Sequence, residues 1–184
     1  MLDVSVAQEA CPLGLAPTAS TTATLALGDA LAITLLGARG FDKNDFARSH
    51  PGGRLGRRLL VRVTDVMAQG DDIPVVTPDE QLTKALLEMS ARGLGMVAVC
   101  ESNKLHGVFT DGDLRRAIDQ GANVHSITVG EVMTSDPLTI TTDALAFDAV
   151  NRMQERKITS LPVVQDQQLV GVVTMHQLLQ TGVV

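Results

Sequence analysis

The sequence is poor in aromatic residues: among 184 residues there is no Trp and no Tyr, and only four are Phe. A hydrophobic core must therefore be built from aliphatic side chains. Proteins that bind single-stranded nucleic acid stack its bases on aromatic side chains. The formal net charge of −6 also disfavours binding along a phosphate backbone. The composition therefore predicts no nucleic-acid partner.

Cysteine is also scarce. Cys11 and Cys100 form no CxxC motif, and neither they nor His106, His125 and His176 show the spacing of metal ligands. We therefore expect no metal and no cofactor. A reducing compartment is the default for a chain with so few cysteines.

Long hydrophobic runs and a recognisable signal peptide are absent as well. The longest apolar helix candidate covers residues 25–36, about half the length needed to span a bilayer, and it contains Asp29. We interpret it as a buried helix. The sequence thus predicts a cytoplasmic protein with no membrane partner.

The sequence contains an internal repeat. VTDVM (63–67) recurs 66 residues later as VGEVM (129–133), and LHGVFT (105–110) recurs 64 residues later as LVGVVT (169–174). Between these segments, one helical face is apolar in both copies: Leu82, Ala85, Leu86 and Met89 in the first, and Ala146, Ala149, Val150 and Met153 in the second. Each unit is predicted to contain a leading segment, helix, strand, turn, strand and helix. Two such units together can bury the apolar face that one cannot.

Residues 1–60 lie outside the repeat. LDVSV (2–6) predicts a short strand, and the following helix is predicted to be capped by Ser20 or Thr21 and to end near Gly40. Because that helix is apolar nearly all round, it should have protein on most sides. The segment is therefore predicted to be the end of a larger α/β domain.

The repeats resemble a tandem pair of cystathionine-β-synthase (CBS) domains. The family motif of Gly, two apolar residues, Ser or Thr, two free positions and Asp reads GVFTDGD at 107–113. It reads GVVTMHQ at 171–177, with Gln in place of Asp. The segments at 9–32 and 49–60 (SHPGGRLGRRLL) resemble the end of a sugar isomerase (SIS) domain. Together they resemble the arabinose-5-phosphate isomerase family.

This resemblance implies an α+β or α/β fold: the end of an SIS domain over residues 1–60, then CBS domains over 61–124 and 125–184. Each CBS unit would have β-α-β-β-α order with pseudo-twofold symmetry. The family interconverts ribulose 5-phosphate and arabinose 5-phosphate in lipopolysaccharide biosynthesis. The CBS pair would regulate the enzyme or organise a homo-oligomer, either a dimer or a tetramer. This chain alone would be inactive, because the family's other catalytic residues lie upstream.

The histidine of the HPGG motif matches His50, which the resemblance makes a catalytic residue. Isomerisation moves a proton between adjacent carbons, and a histidine with a pKa near ~6.5 can accept and donate protons at neutral pH. Arg54 and Arg57 would attract the sugar phosphate. The residues alone fit equally well with a surface loop followed by solvated arginines.

In the CBS family the motif Asp binds ribose hydroxyls and the Thr a phosphate, which assigns a nucleotide or sugar-nucleotide effector to Thr110 and Asp113. Arg115 would assist, and Thr174 would act in the second unit. Helix capping by Thr110 or Asp113 is the alternative. For the whole chain, two further hypotheses stay open: a stand-alone nucleotide-binding CBS module without catalysis, and a purely structural dimerisation unit.

Overall fold

A computed structural model describes residues 2–49 and 53–183. The chain divides into two compact units, Met1–Phe46 and Ala47–Val184. The helices are α1 (Ala19–Ala38), α2 (Lys43–Ser49), α3 (Arg54–Leu60), α4 (Leu82–Arg92), α5 (Asp111–Asp119), α6 (Val129–Val132), α7 (Ala146–Arg156) and α8 (Met175–Gln180). The strands are β1 (Val75–Val76), β2 (Met96–Glu101), β3 (Lys104–Thr110), β4 (Thr134–Ser135), β5 (Ile140–Thr141), β6 (Ser160–Gln165) and β7 (Gln168–Thr174).

The first unit consists mainly of coil and helix α1. The strand predicted at 2–6 is wrong: the described residues of this unit contain no strand with which it could pair. The predicted cap is displaced, because Thr18 is the N-cap residue of α1. The Glu9 carboxylate accepts hydrogen bonds from the Thr18 backbone N–H at 2.7 Å and the Ser20 N–H at 3.3 Å. Gly40 lies just beyond the helix end with φ of 63°, as predicted.

Helix α1 has 20 residues and none of them is buried. The prediction of a short, buried helix is therefore wrong for the described chain. The physical reason is that coil and one helix supply too little surface to cover a helix that is apolar all round. Among the described residues, α1 is long and apolar enough to cross a membrane, but core helices and signal sequences share those properties.

In the second unit, two copies of a β-α-β-β-α pattern follow one another, as predicted. The first copy contains β1, α4, β2, β3 and α5, and the second contains β5, α7, β6, β7 and α8. In each copy a short first strand pairs in parallel with the second strand, which pairs antiparallel with the third. A register shift occurs at Val99/Cys100 and at Val163/Val164, which are equivalent positions of the repeat.

The strands form one sheet of order β1-β2-β3-β7-β6-β5, with β4 paired to β3. The two copies meet where β3 pairs with β7 through Lys104 and Gln168. The predicted apolar faces of α4 and α7 are the buried ones: Leu82, Ala85 and Met89 in α4, and Ala146, Ala149, Val150 and Met153 in α7. Leu86 is partly buried against the same core as α4.

The leading segments are exchanged between the repeats. We define leader 1 as residues 63–67 and leader 2 as residues 129–133. Val63 and Met67 belong to the hydrophobic core of the second repeat, and Val63 N–H donates to the Ala144 carbonyl at 2.9 Å. Val129 belongs to the core of the first repeat. Each leader thus completes the core of the opposite repeat.

A glycine in each third strand permits this exchange. A Cβ on Gly107 would lie 2.6 Å from Met133 Sδ, and a Cβ on Gly171 would lie 2.5 Å from Met67 Sδ. Each would also lie 2.9 Å from the backbone carbonyl oxygen of the residue that follows that leader, Thr134 for Gly107 and Ala68 for Gly171. No side chain fits at these positions, so the glycines allow close approach of the two backbones.

Helix α3 docks on the second repeat through Arg58. The guanidinium carbon lies 4.6 Å from the centroid of the Phe147 ring, in the first turn of α7. Arg58 Nε also donates a hydrogen bond of 3.0 Å to the Val183 carbonyl. The two contacts attach the segment before the repeats to the start of α7 and the end of the chain.

Candidate ligand-binding cleft

Thr110 and Asp113 form a capping box where β3 ends and α5 begins. The Thr110 backbone N–H donates to Asp113 Oδ2 at 2.8 Å, and the Thr110 hydroxyl donates to the same oxygen at 2.6 Å. The Asp113 N–H donates to Thr110 Oγ1 at 3.3 Å. The capping role considered for these residues is therefore confirmed.

The Asp113 side chain is buried, with 4% of its surface exposed. Its second oxygen, Oδ1, accepts hydrogen bonds from the Thr134 hydroxyl at 2.8 Å and from the Arg116 guanidinium. A buried carboxylate needs such donors to offset its desolvation. Asp113 therefore joins three segments: the end of β3, helix α5 and the strand β4 that follows leader 2.

A cavity of about 910 Å³ opens beside this box. One wall comes from Thr110–Asp113 and from Arg115 and Arg116 of helix α5. The remaining lining residues come mainly from the second repeat: Thr134, Asp136, Pro137, Leu138, Thr139, Arg156, Lys157, Ile158, Thr159, Ser160 and Pro162. Both the volume and the mixture of apolar and polar lining are typical of small-molecule sites.

Four cationic side chains line the cavity: Arg115, Arg116, Arg156 and Lys157. All four are exposed, and Arg116 also forms an ion pair with Asp113. The sequence motifs indicated Arg115 but missed Arg156 and Lys157, because the end of α7 reaches this cavity only in the folded chain. Position-by-position comparison of the two repeats could have found Lys157, since it replaces the glycine at position 93.

The second repeat contains an equivalent box. The Thr174 N–H and hydroxyl donate to Gln177 Oε1 at 2.9 and 3.0 Å, and the Gln177 N–H donates to Thr174 Oγ1 at 3.3 Å. The geometry is the same, but the acceptor is neutral. Thr174 is buried, with 8% of its surface exposed.

The predicted catalytic residue, His50, lies outside the described residues. Arg54 begins helix α3, and its side chain is not described. Arg57 is exposed, and its guanidinium lies beside Gly182: a Cβ built on that glycine would be 3.3 Å from Arg57 Nη1. The assignments of His50, Arg54 and Arg57 to a sugar-phosphate site therefore stay predictions. Within residues 2–49 and 53–183, no group of three His, Cys, Asp or Glu side chains could hold a metal ion.

Comparison with known families fits this architecture. The model of the CBS domain family matches residues 63–120 and 129–183. The chain belongs to the CBS-domain family, and the predicted tandem CBS fold is confirmed.

Comparison with curated proteins narrows the relationship. The chain is 56% identical to the arabinose 5-phosphate isomerase KdsD of Pseudomonas aeruginosa, with 99% of the chain and 56% of that protein covered. It is 54% identical to the arabinose 5-phosphate isomerase KdsD of Escherichia coli (strain K12), with 100% of the chain and 56% of that protein covered. The chain thus spans a little over half the length of these relatives and corresponds to their C-terminal part. The predicted relationship is confirmed.

Solved structures agree on the fold. The CBS domain protein NE2398 is similar with a TM-score of 0.61 and 21% identity, covering 67% of this chain and 98% of that one. CBSX2, solved in complex with AMP, is similar with a TM-score of 0.56 and 26% identity, covering 65% of this chain and 94% of that one.

Proposed function

We propose that this chain is the C-terminal part of a sugar-phosphate isomerase that interconverts ribulose 5-phosphate and arabinose 5-phosphate. The observation that carries the proposal is the extent of the match: 54% identity to an arabinose 5-phosphate isomerase covers all of the chain, not the CBS repeats alone. This disfavours a stand-alone CBS module. The enzyme would act in the cytoplasm, in lipopolysaccharide biosynthesis.

The same match supports a proposal for the domain organisation. Residues 1–60 would be the end of an SIS catalytic domain, with CBS domains at 61–124 and 125–184. Helix α1 supports this division, because an apolar helix with no buried residue needs a larger domain to cover it. The upstream part of the relatives would supply that cover.

His50 would act as the acid or base that moves the proton during isomerisation, with Arg54 and Arg57 attracting the sugar phosphate. In the full-length enzyme, His50→Ala should lower kcat by about 10²-fold, the usual loss for a general acid or base, with a smaller change in KM. His125→Ala, which removes an exposed histidine of the CBS pair, is the control. The 184-residue chain alone should not convert arabinose 5-phosphate. Near-normal turnover in His50→Ala would contradict the catalytic role.

The cavity beside Thr110 and Asp113 would bind a nucleotide or sugar-nucleotide effector, with Arg115 contributing charge. AMP in the related CBSX2 structure, the cavity volume and the cationic lining support this. Calorimetry with AMP and CMP should detect binding that Asp113→Ala removes and Gln177→Ala leaves unchanged. Because Gln177 caps its helix together with Thr174, that result would give Thr174 at most a lesser role in binding. Circular dichroism must show that both variants are folded. Equal loss in the two variants would contradict the assignment to the first cleft.

Helix α7 offers a route from this cleft to the catalytic segment. Its last residue, Arg156, lines the cavity, and its first turn holds the Phe147 ring against Arg58 of α3. Helix α3 begins four residues after His50. If the route operates, saturating AMP should slow hydrogen exchange in residues 54–60, and Phe147→Leu should reduce that effect.

The intact enzyme would be a homo-oligomer, a dimer or a tetramer. Three apolar side chains on helices of the repeats support an interface: Leu87 is 71% exposed, Ile118 56% and Leu179 53%. Light scattering after gel filtration should give a mass above that of the monomer, and Leu87→Glu with Ile118→Glu should lower it.

A further inference from the structure

The two repeats differ in charge at two positions with an unusual backbone conformation. Asp136 aligns with Gly70, and Lys157 aligns with Gly93, at the offsets of the repeat. All four residues are in the left-handed region, with φ of 48° and 53° for Asp136 and Lys157, and 58° and 66° for Gly70 and Gly93. The fold thus requires this conformation at both positions in both repeats.

Glycine adopts the left-handed region without steric penalty, whereas a residue with a Cβ is disfavoured there. The first repeat has glycine at both of these positions, whereas the second repeat has residues with a Cβ. Both exceptions, Asp136 and Lys157, line the cavity beside Thr110. Unfavoured backbone conformations that the surrounding structure enforces are concentrated at ligand sites.

The charge difference extends to the other residues around the two boxes. Asp111, Arg115 and Arg116 of the first repeat align with Met175, Leu179 and Gln180 of the second. Thr134, which donates to Asp113, aligns with Ala68. At these positions the ionisable side chains therefore lie around one box, and small, apolar or neutral residues lie around the other. Arg156 does not contribute to this difference, because it aligns with Arg92 of the first repeat.

We infer that Lys157 determines the ligand specificity of this cleft by binding the phosphate of the effector, so that the cleft selects a nucleotide over the corresponding uncharged nucleoside. Lys157 is exposed, lines the cavity and follows Arg156 directly at the end of α7, so two cationic side chains lie side by side where an anion in the cavity could meet them. The inference rests on the proposed function, namely an effector site at Thr110 and Asp113.

The test measures the binding of AMP and of adenosine to the 184-residue chain. Binding is measured by calorimetry at low salt and, for weak binding, by NMR at ligand concentrations up to millimolar. Lys157→Gly removes the ammonium group while keeping a backbone that fits the left-handed region. It should weaken AMP binding about tenfold and leave adenosine binding unchanged. It should not lower the unfolding temperature. Lys104→Gln, which removes an exposed lysine at the start of β3 outside the cavity lining, is the matched control and should change neither.

The possible failures can be told apart. If the wild-type chain and Lys157→Gly bind AMP equally well, Lys157 does not bind the phosphate. The inference is then wrong, but the proposed effector site is still supported. If adenosine binding falls as much as AMP binding, Lys157 acts through the structure of the cleft and not through charge. If the wild-type chain binds neither probe at millimolar concentration, the proposed effector site itself fails, and the inference with it.

Discussion

Asp113 and Gln177 occupy equivalent positions and cap their helices through the same three hydrogen bonds. They differ in what surrounds them. Asp113 also accepts from Thr134 and Arg116, so its carboxylate connects the cap to strand β4, which follows leader 2. At this position the residue that a ligand would meet also holds the local structure together.

Asp113→Ala should destabilise the chain more than Gln177→Ala. The first change removes a cap together with the charge-assisted hydrogen bonds that the buried carboxylate accepts from Thr134 and Arg116, which costs about 2–3 kcal/mol. The second change removes a neutral cap and costs about 1 kcal/mol. Urea unfolding followed by circular dichroism measures both. Equal losses would show that the bonds from Thr134 and Arg116 contribute little.

The two cysteines have opposite environments. Cys100 is buried, and desolvation raises the pKa of its thiol to about 11. Cys11 is half-buried, and backbone hydrogen bonds, chiefly at Ala16, lower the pKa of its thiol. Because the thiolate is the reactive form, the two residues should differ strongly in reactivity.

With Ellman's reagent at pH 8, one thiol per native chain should react rapidly, and Cys11→Ser should remove it. The second thiol should react only after unfolding. Rapid reaction of two thiols in the native chain would contradict the burial of Cys100.

The raised pKa of Cys100 also predicts a pH dependence of stability. The unfolded thiol loses its proton at about pH 8.5, whereas the folded thiol keeps it to about pH 11. The unfolded state therefore binds fewer protons in this window, and the free energy of unfolding falls as pH rises through it. Urea unfolding between pH 8 and 10.5 should show a fall that is smaller in Cys100→Ala.

At the scale of elements, the sequence predicted the regular parts of the repeats well. The spacing of the apolar residues predicted the buried faces of α4 and α7. The short length of the apolar runs predicted the strands β2, β3, β6 and β7. The exchange of the leaders did not follow, because both leaders present Val and Met at the same positions: Val63 and Met67, and Val129 and Met133. Gly107 meets Met133 and Gly171 meets Met67 at equivalent positions, so the local pattern cannot decide which leader fills which core.

The candidate cleft was predictable only in part, for a related reason. Thr110, Asp113 and Arg115 lie in one continuous motif, so the sequence identified that wall. The opposite wall comes from the segment 134–139 that follows leader 2 and from the end of α7, which are distant in sequence. Lys157 and Asp136 belong to no motif, and only the folded chain brings them to Thr110.

Gly107→Ala should be strongly destabilising. Its new Cβ would lie 2.9 Å from the Thr134 carbonyl oxygen, a backbone atom that cannot move without displacing β4 from β3. We expect a loss of about 2–3 kcal/mol, measured by urea unfolding. Gly112→Ala in helix α5 is the control, because its Cβ would meet its nearest neighbour, Thr110 Oγ1, at an ordinary contact distance of 3.5 Å. That change should be neutral or slightly stabilising. A small effect of Gly107→Ala would mean that leader 2 is loosely held.

At the scale of the whole molecule, the second unit contains two main cores, and each core takes residues from both repeats. The larger one includes Val63 and Met67 beside α7, and the other includes Val129 beside α4. Stability should therefore depend on the pair. The sheet contact between Lys104 and Gln168 is the smaller part of the connection.

A fragment of residues 61–124 should not fold alone. It lacks Val129 and Met133 from its core and exposes Val63 and Met67, so it should unfold without cooperativity and bind a hydrophobic dye. An equimolar mixture with residues 125–184 should recover the circular dichroism of the intact pair. A stable, monomeric 61–124 fragment would contradict the importance of the exchange.

The exchange of leaders also bears on how such a chain can arise. In a single repeat of this geometry, the leader does not pack into the repeat's own core. That core in turn lacks the apolar side chains that a leader supplies. In the pair, each leader packs into the core of the other copy, so both cores are complete. This is the arrangement of a domain-swapped dimer. A one-repeat ancestor would have had to exist as such a dimer. Duplication and fusion of its gene would then have joined the two subunits into one chain, after which each half was free to diverge. Such divergence would account for the charges of Asp111, Arg115 and Lys157 around Asp113, where the equivalent positions around Gln177 have Met175, Leu179 and Gly93.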